Sequence, residues 1–214
     1  MTEVFPKAPI IEALLDIRAE LPAKVSLTDL EGLHVPIRDG YPEKKPRKRW
    51  EGTIELKDAK EPLTTTEFQV DGYIFKSIDE KKVVQFRLDG FTFNRLRPYS
   101  RWDDMRHEAR RLWDIYRGGV RPLRVTRLAL RYINSIPIPS KSFDYDDYFT
   151  ATPKVPQGLP QLLQHFFSRI VIPFPDRGIT AVVIQTPSDK QDPVNTAIIV
   201  DIDVFAQVSL APED

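Results

Sequence analysis

The chain contains no cysteine. Disulfides, thiolate metal ligands and cysteine nucleophiles are therefore excluded. Histidine is nearly absent as well, with only His34, His107 and His165. None of these stands in a metal-ligand spacing such as His-Glu-x-x-His, so neither a histidine metal site nor a histidine-centred triad has a pattern to rest on. Glycine is scarce, at nine residues. Gly118-Gly119 follows a helical pattern, whereas phosphate-cradling glycines precede one. Neither sign of charge dominates, since 31 basic residues meet 31 acidic ones. Proteins that coat nucleic acid carry a basic excess, because phosphate neutralisation drives their affinity, and the chain as a whole has none. No apolar run is long enough to span a bilayer. The start, MTEVFPKAPIIEALLDIRAEL, carries Glu3, Glu12 and Asp16 and lacks the basic-then-apolar order of a signal peptide. A cytoplasmic protein without a membrane partner or cofactor is expected.

What is present is a globular composition, 41% hydrophobic and 29% charged over 214 residues. That suits one domain spanning 1–214. Residues 9–21, PIIEALLDIRAEL, alternate with period two and predict a strand. A short helix is expected over Leu27–Leu33, with Ser26 or Thr28 as its cap. Residues 34–48 are proline-rich and basic and read as an exposed loop. Trp50–Lys57 alternates again. Glu67–Ile78 and Val83–Leu88 flank the polar turn Asp79–Lys82, and Asp89-Gly90 turns the chain into Phe91–Leu96.

The strongest helix signal is an amphipathic stripe of Trp102, Met105, Ala109, Leu112, Trp113 and Tyr116, over about 100–117. Ser100 is the expected cap and Gly118-Gly119 the expected left-handed end. Leu123–Ile136 then reads as a long strand closed by Pro137 and Pro139. A long connection holds the acidic-aromatic run 143–149. A second, shorter helix is expected over about 160–167, with Pro160 in its first turn. Strands over 169–174, 179–186 and 196–205 complete the chain. Hairpins dominate and strands do not alternate with helices, which predicts an α+β fold: a large antiparallel sheet with the amphipathic helix packed on one face.

Three segments resemble a sporadically distributed, uncharacterised family of bacterial proteins. They are Lys7–Ala13 with Ile17-Arg18; Phe93-Asn94-Arg95-Leu96-Arg97-Pro98-Tyr99 with Trp102, Glu108-Ala109 and Leu112-Trp113; and Leu128–Asn134, LALRYIN, with the Ile-Pro-Ile-Pro of 136–139. The resemblance covers about a quarter of the chain, and Asn-Arg-Leu-x-Pro-Tyr is an unusual string. It implies a soluble accessory protein of patchy distribution and assigns no substrate. It also implies a C-terminal helix after the last strand, which the chain ending at Asp214 does not supply. Apolar sheet surface left without that cover favours association, homo-oligomers included. A looser likeness, carried by Arg-x-Pro-Tyr, the helix and Gly-Gly-Val-Arg-Pro-Leu over 118–123, is to SecB-like chaperones.

Candidate chemistry lies in three places. Asp201 and Asp203 share one strand face and could hold a metal or act as acid and base. Arg127 and Arg131 also share one face, so a cross-strand ladder of ion pairs is the structural alternative. Lys44, Lys45, Arg47, Lys48, Arg49 and Trp50 combine basic charge with an aromatic, as single-stranded nucleic-acid binders do; an aggregation-resistant edge is the alternative. Asn94, Arg95, Tyr99 and Arg131 are expected to form a polar cluster at the helix–sheet junction, as a partner-binding site or a structural one. The run 91–131 carries eleven arginines against four acids, to be balanced internally or by an acidic partner. The leading expectation is a non-enzymatic protein-binding module, chaperone-like or linked to a toxin–antitoxin or defence locus. The alternatives are a nucleic-acid binder using residues 44–50 and a metal-dependent enzyme using Asp201 and Asp203.

Overall fold

The computed structural model describes residues 8–55, 63–140, 142–151, 153–161, 163, 165–188 and 195–213, with the side chains of 50–55 and 63–67 excepted. Among these residues nine strands form one antiparallel sheet: β1 (Ile10–Glu20), β2 (Glu43–Glu55), β3 (Leu63–Lys76), β4 (Lys82–Arg87), β5 (Gly90–Leu96), β6 (Arg124–Ile138), β7 (Ser168–Phe174), β8 (Ile179–Pro187) and β9 (Thr196–Leu210). Their order is β2-β3-β4-β5-β1-β6-β9-β8-β7. Among the described residues two α-helices accompany them, α1 (Leu27–Gly32) and α2 (Trp102–Val120). The fold is therefore α+β, built on an antiparallel sheet. No described helix is long and apolar enough to cross a membrane.

The order is nearly mirror-like about the central pair β1–β6. From β1 the chain runs through α1 to the outer strand β2 and steps back inward through β3 and β4 to β5, beside β1. From β6 it runs to the outer strand β7 and steps back through β8 to β9, beside β6. The first half carries both helices. The second has none among the described residues, only short 3-10 turns at Tyr145–Asp147 and Pro175–Arg177.

Alternation gives the sheet two unlike faces. Ala13 and Ile17 of β1, Phe75 of β3, Val84 and Phe86 of β4, and Phe91 and Phe93 of β5 meet Met105, Ala109, Leu112, Trp113 and Tyr116 of α2 in one core. Phe86, Phe91, Trp113 and Tyr116 pack ring against ring with centroids 5.5 to 6.1 Å apart. The Tyr116 hydroxyl, which burial makes a much weaker acid than usual, donates to the Arg87 carbonyl at 2.8 Å. On the outer face the middle of the sheet is polar, with Asp16, Arg87, Thr92, Arg127 and Asp203.

Several local expectations change. Ser26, not Thr28, caps α1, in a reciprocal box with Asp29. The expected loop at 34–48 becomes strand from Glu43, because Lys44 pairs with Glu31 of α1 and the backbone pairs with Phe75 and Ile74 of β3. Ser100 does not cap α2; Arg101 holds that position without a side-chain hydrogen bond, and the Ser100 hydroxyl donates to Asp104 at 3.0 Å. The helix runs on through Gly118 and Gly119 to bury Val120, and the left-handed residue is Arg121. Pro137 lies inside β6, beyond the reach of β1, where only β9 flanks it. The helix expected over about 160–167 is replaced by irregular chain at all its described residues. Phe166 there packs edge-on against Tyr145, and its carbonyl accepts from Thr186 at 2.9 Å.

Candidate functional site

Two concavities flank the middle of the sheet, one on each face. The first is apolar and lies on the helix face, between α2 and the β6–β9–β8 half. It holds about 430 Å³ and is walled by Trp113, Leu128, Leu130, Val204, Ala206 and Leu210, with Arg106 and Arg110 of α2 on its rim. Beyond it the same face continues outward. Leu128 is 37% exposed, Ile202 36%, and Ile170 and Ile172 of the edge strand β7 45% and 39%. The sequence carried one signal for this surface: Ile170, Val171 and Ile172 run on without the polar alternation of a half-solvated strand.

The second concavity is polar, on the outer face, and holds about 410 Å³. Asp16 is its hub. Its Oδ1 lies 2.9 Å from Arg87 Nη2 and accepts from the Thr92 hydroxyl at 2.7 Å, while its Oδ2 lies 3.2 Å from Arg127 Nη1 and 3.4 Å from Arg18 Nε. Burial pushes the Asp16 carboxyl upward, but Arg87, Thr92 and Arg18 outweigh that and hold it below the ordinary carboxylate range. Arg87 is only 3% exposed. Gly72 and Gly90 face it from the two neighbouring strands. A methyl group at Gly72 would run into the Phe86 carbonyl oxygen, and one at Gly90, where φ is +143°, into that of Ile17.

The ladder expected between β6 and β9 is present. Arg127 Nη2 meets Asp203 Oδ2 at 3.1 Å, and Arg131 holds Asp201 through Nε at 2.8 Å and through Nη2. The Asp201 contact raises the Arg131 pKa further. Both carboxylates offered as metal ligands are thus engaged by guanidinium groups. Among the described residues, no cluster of three or more His, Asp or Glu is placed to hold a metal ion.

The expected cluster of Asn94, Arg95, Tyr99 and Arg131 does not assemble. Asn94 and Arg131 flank Leu14 in register on the outer face, and Asn94 Nδ2 donates to Glu12. Arg95 stands in register with Ala13, on the face toward α2. Tyr99 packs edge-on against Tyr132 with the hydroxyls 3.1 Å apart. Alternation separates the two pairs.

The basic run of β2 is divided in the same way. Lys44 pairs with Glu31 and Lys48 lies 5.9 Å from the Phe68 ring centroid, on one face. Lys45 pairs with Glu43, and Arg47 with Asp71 and Gln85, toward the other. Arg49 follows Lys48 on this edge strand, and the Trp50 side chain lies outside the described residues. Part of the arginine-rich run 91–131 finds acids within the fold: Arg106 with Asp103, Arg110 and Arg117 with Asp114, Arg111 with Glu108, and Arg124 with Glu20.

No family model, curated protein or solved structure matches the chain.

Proposed function

We propose that the protein is a non-enzymatic protein-binding module that docks an amphipathic helix of a partner on the apolar face of the β6–β9–β8–β7 half. The observation that carries this reading is the asymmetry of a near-symmetric sheet. On the first half, α1 and α2 cover the apolar face. On the second half, Leu128, Ile202, Ile170 and Ile172 form an apolar surface that no described helix covers, continuous with the groove beside α2. Contiguous apolar surface of that kind marks an interaction site. The groove runs beside a helix, as a helix-in-groove site does. Arg106 and Arg110 on the rim favour a partner helix with acids along the flank facing α2.

The test is photo-crosslinking in the host cell, with a benzophenone amino acid at position 128 and, as a control, at the exposed position 38. The reading requires a discrete protein adduct at 128 that is absent at 38 and weakened by R106E/R110E. An adduct with the mass of a second copy would replace the partner with self-association. No adduct at 128 above the control would remove the reading.

A further inference from the structure

The outer-face groove has a composition that the protein-binding reading does not use. Five arginines from four strands line it: Arg18 of β1, Arg47 of β2, Arg87 of β4, and Arg127 and Arg131 of β6. Two carboxylates, Asp16 and Asp203, share the lining, and three more lie against the arginines from behind it, so the five guanidiniums are matched by five carboxylates. Asp71, Asp89 and Asp201 hold Arg47, Arg18 and Arg131. Those grips fix the planar groups in place without using all their donors, since each guanidinium has five N–H groups.

Among the described residues no partner is found for Arg18 Nη2, Arg47 Nη2, Arg127 Nε or Arg131 Nη1. The almost fully buried Arg87 lines the same groove, and its Nε makes no hydrogen bond, although Asp89 Oδ1 lies 3.0 Å away. Thr92 and Gln85 add neutral polar groups to the wall.

We propose that this groove is a binding site for a small phosphate-bearing ligand with two or more negative charges. Several guanidiniums converging from different strands suit a tetrahedral anion with several acceptor oxygens. The charge requirement follows from the competition inside the groove: Asp16 and Asp203 already engage Arg87 and Arg127. A single carboxylate would compete poorly against them, whereas a diphosphate or phosphomonoester dianion adds charge and oxygens together. The cavity volume is that of a small-ligand site. A polynucleotide would need a basic track beyond the groove, and the neighbouring run on β2 is split between two faces with Lys44, Lys45 and Arg47 paired to acids. The site lies on the face opposite the apolar groove, so the two assignments stand or fall separately.

The experiment is calorimetric titration of the full chain with inorganic diphosphate, in parallel with a twelve-nucleotide single strand. Saturable one-to-one binding of diphosphate is expected, weakening as salt rises. R127K and R131K keep a cation beside Asp203 and Asp201 and therefore preserve the fold, yet lose the guanidinium geometry; each should weaken binding about tenfold, roughly 1.4 kcal/mol. R38Q, at an exposed position that lines neither groove, should leave binding unchanged. Absence of binding at about 10 mM diphosphate, beyond the weak end of the usual affinity scale, would overturn the assignment. So would full affinity in folded R127K and R131K. Tighter binding of the oligonucleotide than of diphosphate, lost in R127K, would overturn the small-ligand assignment in favour of nucleic acid.

Discussion

Arg87 on β4 reaches across β5 to Asp16 on β1, with Nη2 2.9 Å from Oδ1. The contact skips a strand because Thr92, which lies between them on β5, is short and donates its hydroxyl to the same oxygen at 2.7 Å. Three strands are thus tied by one carboxylate, which also meets Arg127 on β6.

This arrangement fixes the sign of a pH effect. The Asp16 carboxyl is held below its ordinary value in the folded chain. Its stabilising contribution is therefore complete above the unfolded pKa of about 3.9 and is lost as pH falls through the lower folded value. Urea midpoints should drop between pH 5 and pH 3 in the native chain. In D16N the drop should be shallower, from a lower stability at pH 7. Equal acid slopes in the two proteins would refute the role given to Asp16.

The Arg131–Asp201 pair joins a half-exposed guanidinium to a buried carboxylate. Removing the arginine alone leaves that carboxylate without its main partner, so R131L should cost about 1–3 kcal/mol. Removing both ends removes the orphan too, so R131L/D201L should be less destabilised than the two single changes combined. A double-mutant cycle from denaturant unfolding reads the coupling directly.

Gly90 faces Arg87 with φ at +143° and its Cα hydrogen side against the Ile17 carbonyl. G90A meets both an unfavourable backbone region and a backbone clash, each of which costs about 1–3 kcal/mol. Circular dichroism of G90A should show a strongly lowered melting temperature or no cooperative transition.

The adjacent glycines of α2 should respond in opposite ways. A methyl group at Gly118 meets nothing within 4 Å, so G118A should stabilise the helix by about 0.5–1 kcal/mol. At Gly119 the same methyl would run into the Leu33 side chain, which packs beside α1. G119A should therefore gain less than G118A or lose stability, and thermal melts of the two variants decide it.

Most strands were legible from local pattern. Ile10–Glu20 alternates, Asp89-Gly90 marks the turn from β4 to β5, and the stripe from Trp102 to Tyr116 marks α2. The failures have a common cause, since non-local contacts overrode local chemistry. Gly118-Gly119 is a helix-ending signal, yet the helix gains the burial of Val120 by continuing. Glu43–Lys48 lacks strand composition, yet the ladder to β3 and the ion pair to Glu31 hold it extended. Residues near 160–167 have a helix-starting proline, yet Phe166 is tied to Tyr145 and Thr186. The same contrast divides the sites. Arg127, Arg131, Asp201 and Asp203 were readable as a ladder because each pair sits on one strand at spacing compatible with one face. Arg18, Arg47 and Arg87 gave no such signal, because only the strand order brings them to one groove.

The central position of β1 has a consequence for the order in which the chain can organise itself. Leu15 pairs with Phe93 on one side and Leu130 on the other, both far along the chain. During synthesis β1 emerges long before either neighbour, while the meander from β2 to β5 has all its own pairings at short range. The ribosome therefore exposes a strand that must wait, and the sheet closes only when a distant segment arrives on each side. Long-range closure of this kind slows folding. β1 acts as the keystone of the sheet, present early and locked in late.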